Sequence, residues 1–105
     1  MILVMTTCST PEEADRIASL LVEERLAACV QIQAAQSVYR WAGRIERAGE
    51  WTLQIKTSEA LADAVRDRIT SLHSYDLPEF VVLRADSAST AYATWVEAET
   101  GSDHR

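Results

Sequence analysis

The stretch that decides the fold spans residues 28–57 and reads ACVQIQAAQSVYRW, then AG, then RIERAGEWTLQIKT. Ala28–Trp41 and Arg44–Thr57 are two long runs suited to strands, and Ala42-Gly43 between them is a candidate two-residue turn. At roughly 3.3 Å per residue, each arm would extend about 45 Å. A compact domain of this length has a radius of gyration of about 13 Å and is only about 33 Å across. The sequence therefore predicts a β-hairpin that overhangs the rest of the domain.

Aromatic residues lie around the tip of this hairpin, at Tyr39, Trp41 and Trp51. An isolated two-stranded ribbon is only marginally stable in water, so such a hairpin needs a partner surface. Sheet edges pair readily with another chain, and a second copy of the same chain is the simplest partner. We therefore expect the protein to self-assemble.

The composition is that of one globular domain. The chain has 105 residues, of which 48% are hydrophobic and 25% are charged. We expect a single domain over residues 1–100 and a flexible tail over residues 101–105. Sixteen acidic residues against ten basic ones give a formal charge of −6. This charge argues against a nucleic-acid partner, because a surface that binds phosphates needs basic groups.

The apolar start of the chain, Met1–Met5, is too short for a signal peptide or a membrane span. We interpret it as a buried strand and expect a cytoplasmic protein that has no membrane partner. The two cysteines, Cys8 and Cys29, do not make a disulfide framework in a reducing compartment. Cys29 begins an apolar strand, so we expect its thiol to be buried and unreactive.

The pattern along the chain is strand, helix, hairpin, helix, strand and a further helix. This is the split βαβ order of the ferredoxin-like fold, so we predict an α+β sandwich in which two helices cover one face of a four-stranded sheet. Phe80–Leu83 is a continuous apolar run, which predicts a buried strand, and Ala48-Gly49 is expected to form a bulge or bend. The remaining predicted segments are a strand at Ile2–Thr7, a helix from Thr10-Pro11 to about Arg25 or Leu26, a helix capped by Thr57 or Ser58, and a helix from about Ser89.

The predicted topology brings several reactive side chains to one rim of the sheet. With the strand order 4-1-3-2, Cys8 ends the first strand beside the segment His73–Glu79, and the hairpin tip points toward the same rim. Cys29 starts the second strand at the opposite rim, too far from Cys8 for a disulfide. The residues gathered at the rim are Cys8, His73, Tyr75, Asp76 and Glu79.

Cys8 and His73 are the candidate metal ligands, because thiolate and imidazole are natural ligands of copper and zinc. Two side chains do not complete a metal site, so water or a second subunit would supply the rest. The alternative for His73 is a helix C-cap, and the alternative for Cys8 is a small buried apolar residue.

A second group of residues is predicted to line a cleft. Tyr39 and Trp41 form a cleft wall or pack in an interface, and Lys56 holds an anion or lies on a solvated strand face. No spacing assembles a nucleophile with a base and an oxyanion hole, so we expect no enzymatic activity. The predicted cleft residues are Tyr39, Trp41, Lys56, Tyr75, Asp76 and Glu79.

Several segments resemble the CutA divalent-cation-tolerance family, and together they cover nearly the whole chain. The resemblance implies a ferredoxin-like homotrimer similar to the PII-type signalling proteins, cytoplasmic and without established enzymatic activity. It also implies a role in tolerance of copper and other divalent cations, with copper bound at Cys8 and His73. The segments are TCSTPE at 7–12, RLAACV at 25–30, SVYRWAGRI at 37–45, IKT at 55–57, HSYDLPE at 73–79 and YATW at 92–95.

The chain departs from that family's pattern near its candidate site. Leu72 stands where some members carry a second histidine, Ser74 where proline is usual, and Gln31 where asparagine is usual. We therefore expect weak or moderate metal affinity. The leading hypothesis is a homotrimeric copper-binding protein in cation homeostasis. The alternatives are a PII-like sensor that uses Lys56 and the tyrosines to hold a small anion between subunits, and a scaffold trimer.

Overall fold

The computed structural model describes residues 1–101 and contains the predicted order of helices and strands. Their bounds agree with the prediction to within a few residues, and a short 3₁₀ turn, Glu59–Leu61, precedes the second helix. The elements are β1 (Ile2–Cys8), α1 (Pro11–Glu23), β2 (Cys29–Trp41), β3 (Arg44–Thr57), α2 (Ala62–Leu72), β4 (Val81–Arg84) and α3 (Thr90–Glu99).

The four strands form one antiparallel sheet in the order β2-β3-β1-β4, which confirms the predicted ferredoxin-like α+β fold. Leu53 and Ile55 of β3 are fully buried, whereas Gln54 between them is exposed, so one sheet face is covered and the other is open. Helices α1 and α2 lie on the covered face and contact each other there. The buried residues that join sheet and helices include Ile2, Val4, Ile17, Leu21, Val65 and Ile69.

The hairpin of β2 and β3 overhangs the sheet, as predicted. Cys8 at the end of β1 pairs with Trp51, and the hairpin continues beyond that pair to its turn at Ala42-Gly43. The chain is therefore elongated, with extents of 49 × 26 × 21 Å. Ala42 and Gly43 have φ angles of 52° and 78°, the left-handed values that the tightest hairpin turns require. Gly43 adopts this conformation freely, whereas the Cβ of Ala42 makes it strained.

Pairing between β2 and β3 is continuous, so the predicted bulge or bend at Ala48-Gly49 is wrong. Gln36 pairs with Gly49 and Ser37 pairs with Ala48 within an unbroken register. The two-residue turn already matches every residue of one arm with a residue of the other. No extra residue is left to bulge.

Two predictions of burial are also wrong. The apolar residues of β4 are exposed, at 44% for Val81, 39% for Val82 and 47% for Leu83. β4 is an outer strand that pairs with β1 alone in the described sheet, so its apolar run is not enclosed by this chain. Cys29 is half-buried because it begins β2, the other outer strand.

Helix α3 is attached to the body of the domain by Arg25. The Arg25 guanidinium donates to the carbonyl oxygens of Ala98 at 2.7 Å and Gly101 at 3.2 Å. The Gly101 N–H in turn donates to the Arg25 carbonyl at 2.8 Å. Residues 102–105, the rest of the predicted flexible tail, lie outside the described residues. Within residues 1–101, no helix has the length and apolar character needed to cross a membrane.

Candidate metal site and neighbouring cleft

Three segments of the fold bring Cys8, Glu13 and His73 together. Cys8 is the last residue of β1, and α1 begins three residues later with Thr10 as its N-cap, whose hydroxyl accepts the Glu13 N–H at 3.1 Å. His73 follows the last residue of α2, and its N–H donates to the Ile69 carbonyl at 2.9 Å. His73 is therefore a helix C-cap, and it also lies beside Cys8 as the topology predicted.

The separation of Cys8 and His73 fits a shared metal ion. Cys8 Sγ lies 3.9 Å from His73 Nε2. With metal–sulfur and metal–nitrogen bonds of about 2.3 Å and 2.0 Å, one ion would hold these atoms about 3.5 Å apart in tetrahedral geometry and about 4.3 Å apart in linear geometry. The observed distance lies between these two values. The two atoms are therefore close enough to bind one ion.

Glu13 is a third candidate ligand that the sequence analysis missed. One of its carboxylate oxygens, Cys8 Sγ and a ring nitrogen of His73 all lie within 4.8 Å of one another. Glu13 Oε2 accepts the Ser74 N–H at 2.8 Å, whereas Oε1 is buried without a hydrogen-bond partner. Buried carboxylate oxygens normally have partners, so an orphaned one suits a cation. In the sequence Glu13 looks like a capping-box residue of α1, and the fold alone places it beside His73.

The hydrogen bonds of His73 define its tautomer. The Tyr75 N–H donates to His73 Nδ1 at 3.0 Å, so Nδ1 carries no proton in the neutral ring. The proton is therefore on Nε2, which donates to the Thr7 carbonyl at 2.6 Å. A metal ion at Nε2 would have to replace this proton and break the bond to Thr7.

Burial and nearby acidic groups favour the neutral form of the Cys8 thiol. Burial, with smaller contributions from the charges of Glu13 and Glu50, raises the pKa of Cys8 to about 12. Burial also acts to raise the pKa of Glu13, but the hydrogen bond from the Ser74 N–H outweighs it and leaves that pKa lowered. At neutral pH the site therefore holds a thiol and a carboxylate, and a metal ion must displace the thiol proton.

A cleft lies on the sheet face opposite α1 and α2. Thr7 lines it, and Thr7 points away from the neighbouring Cys8 because successive strand residues alternate between faces. The cleft has a volume of about 490 Å³, and the half of the hairpin nearer the turn contributes Ser37, Val38, Tyr39 and Trp41 to its lining. Its lining includes four of the predicted cleft residues, which are Tyr39, Trp41, Tyr75 and Glu79.

The other two predicted cleft residues lie elsewhere. Asp76 borders a smaller adjoining hollow together with Trp41 and Tyr75. Lys56 pairs with Leu3 near the opposite end of the sheet and does not line the cleft. Its ammonium nitrogen lies 5.6 Å from the centre of the Tyr92 ring, so its placement in a cleft with the rim tyrosines is not observed.

Glu50 is a cleft residue that the sequence analysis missed. It is only 9% exposed, and its Oε2 accepts the Tyr75 hydroxyl at 2.7 Å. Burial, followed by this hydrogen bond and the charge of Glu50, raises the pKa of Tyr75. In the sequence Glu50 follows Gly49 in the middle of an arm, and nothing there marks it as buried.

The fold and the rim define a small α+β protein with a cysteine–histidine–glutamate cluster and a cleft behind it. A profile of the CutA1 divalent ion tolerance protein family matches residues 2–99. The chain therefore belongs to this family, as the resemblance of its motifs predicted. This membership agrees with the donor atoms found at the rim.

Three relatives illustrate the extent of the similarity. The divalent-cation tolerance protein CutA of Pyrococcus horikoshii is 35% identical over 100 residues, which cover 95% of this chain and 98% of that one. The chloroplastic protein CutA 1 of rice, Oryza sativa subsp. japonica, is 36% identical over 100 residues, 94% of this chain but only 56% of the rice protein. The solved PII-like protein CutA of Nostoc sp. PCC 7120 is 39% identical with a TM-score of 0.91, covering 96% of this chain and 98% of that one.

Proposed function

We propose that this protein is a cytoplasmic homotrimer that binds copper or another divalent cation and acts in cation tolerance by binding rather than by catalysis. The observation that carries the proposal is the convergence of three donor atoms, from Cys8, Glu13 and His73, within 4.8 Å of one another. Residues 1–100 form the single binding domain. When bound, the ion would be held by the Cys8 thiolate, the His73 imidazole and a Glu13 oxygen.

Exposed apolar surface supports the trimer. Large apolar side chains are exposed on the overhanging hairpin and on the outer strand β4, where a second copy would cover them. Burying such surface contributes about 25 cal/mol per Å², so pairing along the sheet edges would be strongly stabilising. The side chains concerned are Val38, Tyr39, Trp41, Ile45, Val81, Val82 and Leu83.

The same geometry predicts modest affinity at neutral pH. The thiol of Cys8 must lose a proton from a group whose pKa is about 12, and His73 must give up its bond to Thr7. Leu72 occupies the position at which some family members carry a further histidine. Because the metal competes with protons for these ligands, the apparent affinity should fall as the pH is lowered.

Calorimetric titration with Cu²⁺, Zn²⁺ and Mg²⁺ tests the metal site. We expect Cu²⁺ and Zn²⁺ to bind and Mg²⁺ to fail, because thiolate and imidazole favour softer ions. Cys8→Ser and His73→Ala should each weaken copper binding at least tenfold, whereas Cys29→Ser, the matched cysteine control, should not. Each variant should remain a trimer by light scattering. If both Cys8→Ser and His73→Ala titrate with copper as the wild type does, the proposed metal site is wrong. His73 would then be only a helix C-cap and Cys8 only a buried thiol.

The cleft supports a second candidate function, that of a small-molecule sensor. Its volume of about 490 Å³ lies in the range of small-ligand pockets, and a buried carboxylate and aromatic rings converge on it. The relative from Nostoc is described as PII-like, which agrees with ligand sensing. Titrations with small molecules that perturb the cleft residues, but not Cys8, Glu13 and His73, would favour this function. If neither metals nor small ligands bind, the scaffold trimer becomes the better explanation.

A further inference from the structure

We propose that the metal site and the cleft are coupled through Tyr75. An ion bound to His73 breaks the hydrogen bond that His73 accepts from the Tyr75 N–H, and the displaced Tyr75 then loses its bond to Glu50 in the cleft. This inference rests on the proposed metal-binding function and adds a regulation of that site. It uses contacts within one chain only.

Both ring nitrogens of His73 are engaged. Nε2 lies 3.9 Å from Cys8 Sγ and donates to the Thr7 carbonyl at 2.6 Å, whereas Nδ1 accepts the Tyr75 N–H at 3.0 Å. A neutral imidazole has one protonated nitrogen and one nitrogen whose lone pair can accept a bond. The Tyr75 N–H therefore occupies the single lone pair that the neutral ring offers.

An ion on either nitrogen of His73 displaces the Tyr75 N–H. If the ion binds Nε2, the ring proton moves to Nδ1, because a metal-bound histidine keeps a proton on its other nitrogen. Two N–H groups would then face each other across the 3.0 Å between Nδ1 and the Tyr75 nitrogen. Their hydrogens would be only about 1 Å apart, which is a strong repulsion. An ion at Nδ1 would occupy the place of the Tyr75 hydrogen itself.

The main chain at Tyr75 is the part that can move. An ion shared with Cys8 and Glu13 holds the His73 ring, and these two partners belong to strand β1 and helix α1. Residues 73–80 lie between the end of α2 and the start of β4 and form neither a helix nor a strand. We therefore expect the repulsion to be relieved by a shift of this segment.

Tyr75 transmits that shift to the cleft. Its hydroxyl donates to Glu50 Oε2 at 2.7 Å, and Glu50 is only 9% exposed and lies on β3 opposite Ala35. One residue is thus tied to the metal site by its N–H and to the cleft by its hydroxyl. Because Glu50 is fixed in the sheet, movement of the Tyr75 main chain breaks the second bond. Tyr75 and Glu79 of the same segment line the cleft, so its shape changes too.

The coupling has a sign that separates it from simple structural support. Coupling between two equilibria is reciprocal, so if the ion breaks the bond to Glu50, removing that bond beforehand must tighten binding of the ion. A residue that merely supports the metal site would act in the opposite direction, because its removal would weaken binding. The direction of the change in affinity is therefore diagnostic.

The first test is an NMR titration of the intact ¹⁵N,¹³C-labelled protein with zinc chloride. In the ion-free protein we expect the tautomer of His73 with the proton on Nε2, and a scalar coupling across the hydrogen bond between the Tyr75 nitrogen and Nδ1. Saturation with Zn²⁺ should abolish this coupling and shift the Tyr75 amide and the side-chain carboxyl resonance of Glu50. The carboxyl resonance of Glu59, which binds Arg84 away from the rim, is the control and should not shift.

The second test measures Zn²⁺ affinity by calorimetry in Tyr75→Phe. This change removes the hydroxyl that binds Glu50 and keeps every charge at both sites. We expect Zn²⁺ to bind about threefold to tenfold more tightly, the range that corresponds to one hydrogen bond. Tyr92→Phe on α3 is the matched control and should leave the affinity unchanged. Circular dichroism establishes that both variants are folded.

Three outcomes would overturn the inference. Zn²⁺ binding that leaves the scalar coupling between Tyr75 and His73 intact would refute it, while the proposed metal-binding function would stand. An unchanged or weaker Zn²⁺ affinity in folded Tyr75→Phe would show that the movement does not reach Glu50. If neither Zn²⁺ nor Cu²⁺ binds the wild type, the proposed function is wrong and the coupling is lost with it.

Discussion

The pH dependence of its reaction with a disulfide reagent should show that the Cys8 thiol is a much weaker acid than an ordinary thiol. The pKa of Cys8 is about 12 against an ordinary 9.0, so at pH 8 the thiolate fraction is about 1000-fold lower than for an ordinary thiol. A thiolate whose thiol has a higher pKa is intrinsically more nucleophilic, with a Brønsted slope of about 0.4–0.5. Over this shift in pKa, the greater nucleophilicity raises the rate by a factor of about 20 and so offsets part of the loss in thiolate fraction. We therefore expect Cys8 to react about 50-fold more slowly than an ordinary thiol, before its burial slows it further.

The assay is the rate of thiol–disulfide exchange with 2,2′-dithiodipyridine in the Cys29→Ser variant, which leaves Cys8 as the single thiol. The rate should rise about tenfold per pH unit from pH 7 to pH 10 without levelling off, because the thiolate fraction is still rising. Glu13→Gln should shift the profile to lower pH, since it removes a charge that raises the pKa. Glu12→Gln is the matched control. A plateau below pH 10 in protein that circular dichroism shows to be folded would refute the reasoning.

The same pKa shift predicts a loss of stability at alkaline pH. Because the folded-state pKa of Cys8 lies above that of the unfolded chain, the unfolded chain releases its proton first. The stabilisation is fully present below pH 9 and is lost as the pH rises toward 12, at about 1.4 kcal/mol per pH unit and up to about 4 kcal/mol in total. The difference in unfolding free energy between wild type and Cys8→Ala should follow this curve.

Three further predictions concern the fold and its assembly. Thr57→Val should lower the free energy of unfolding, measured by urea denaturation, by about 1–2 kcal/mol. The buried hydroxyl of Thr57 donates to the Leu26 carbonyl at 2.7 Å, and valine would leave that oxygen without a partner. Ala42→Gly should raise the free energy of unfolding by about 0.5–1 kcal/mol, since glycine relieves the left-handed strain at φ 52°; a loss of stability would show that Ala42 is not strained. Trp41→Ala should shift the mass measured by light scattering at micromolar concentration toward that of the monomer more than Trp95→Ala does. If the two variants have equal masses, Trp41 does not stabilise the interface.

Local patterns in the sequence predicted the fold well. The length of the hairpin, its turn and the order of the elements all follow from period-two and helical spacing, and these fix the sheet order once a ferredoxin-like fold is assumed. That order was enough to place Cys8 beside His73, although 65 positions separate them. The exposure of β4 was missed because an apolar run predicts burial but does not show whether the same chain or another copy buries it.

The remaining parts of the two sites depend on contacts that the sequence does not encode locally. Glu13 reads as a helix-capping residue, and its orphaned oxygen appears only once Ser74 is known to engage the other oxygen. Glu50 reads as one more surface acid of a long arm, and only the returning loop with Tyr75 encloses it. Lys56 was assigned to the cleft by its residue type, whereas its register opposite Leu3 places it at the other end of the sheet.

The strand order has a further consequence for assembly. The two outer strands, β2 and β4, are different segments of the chain, so a contact that pairs β2 of one copy with β4 of the next joins unlike surfaces. Such head-to-tail contacts can repeat without limit unless the rotation between copies returns the last one to the first. The proposed trimer is then a closed ring in which every edge is occupied. A change that alters the angle between copies, without weakening any contact, should yield open fibres in place of rings.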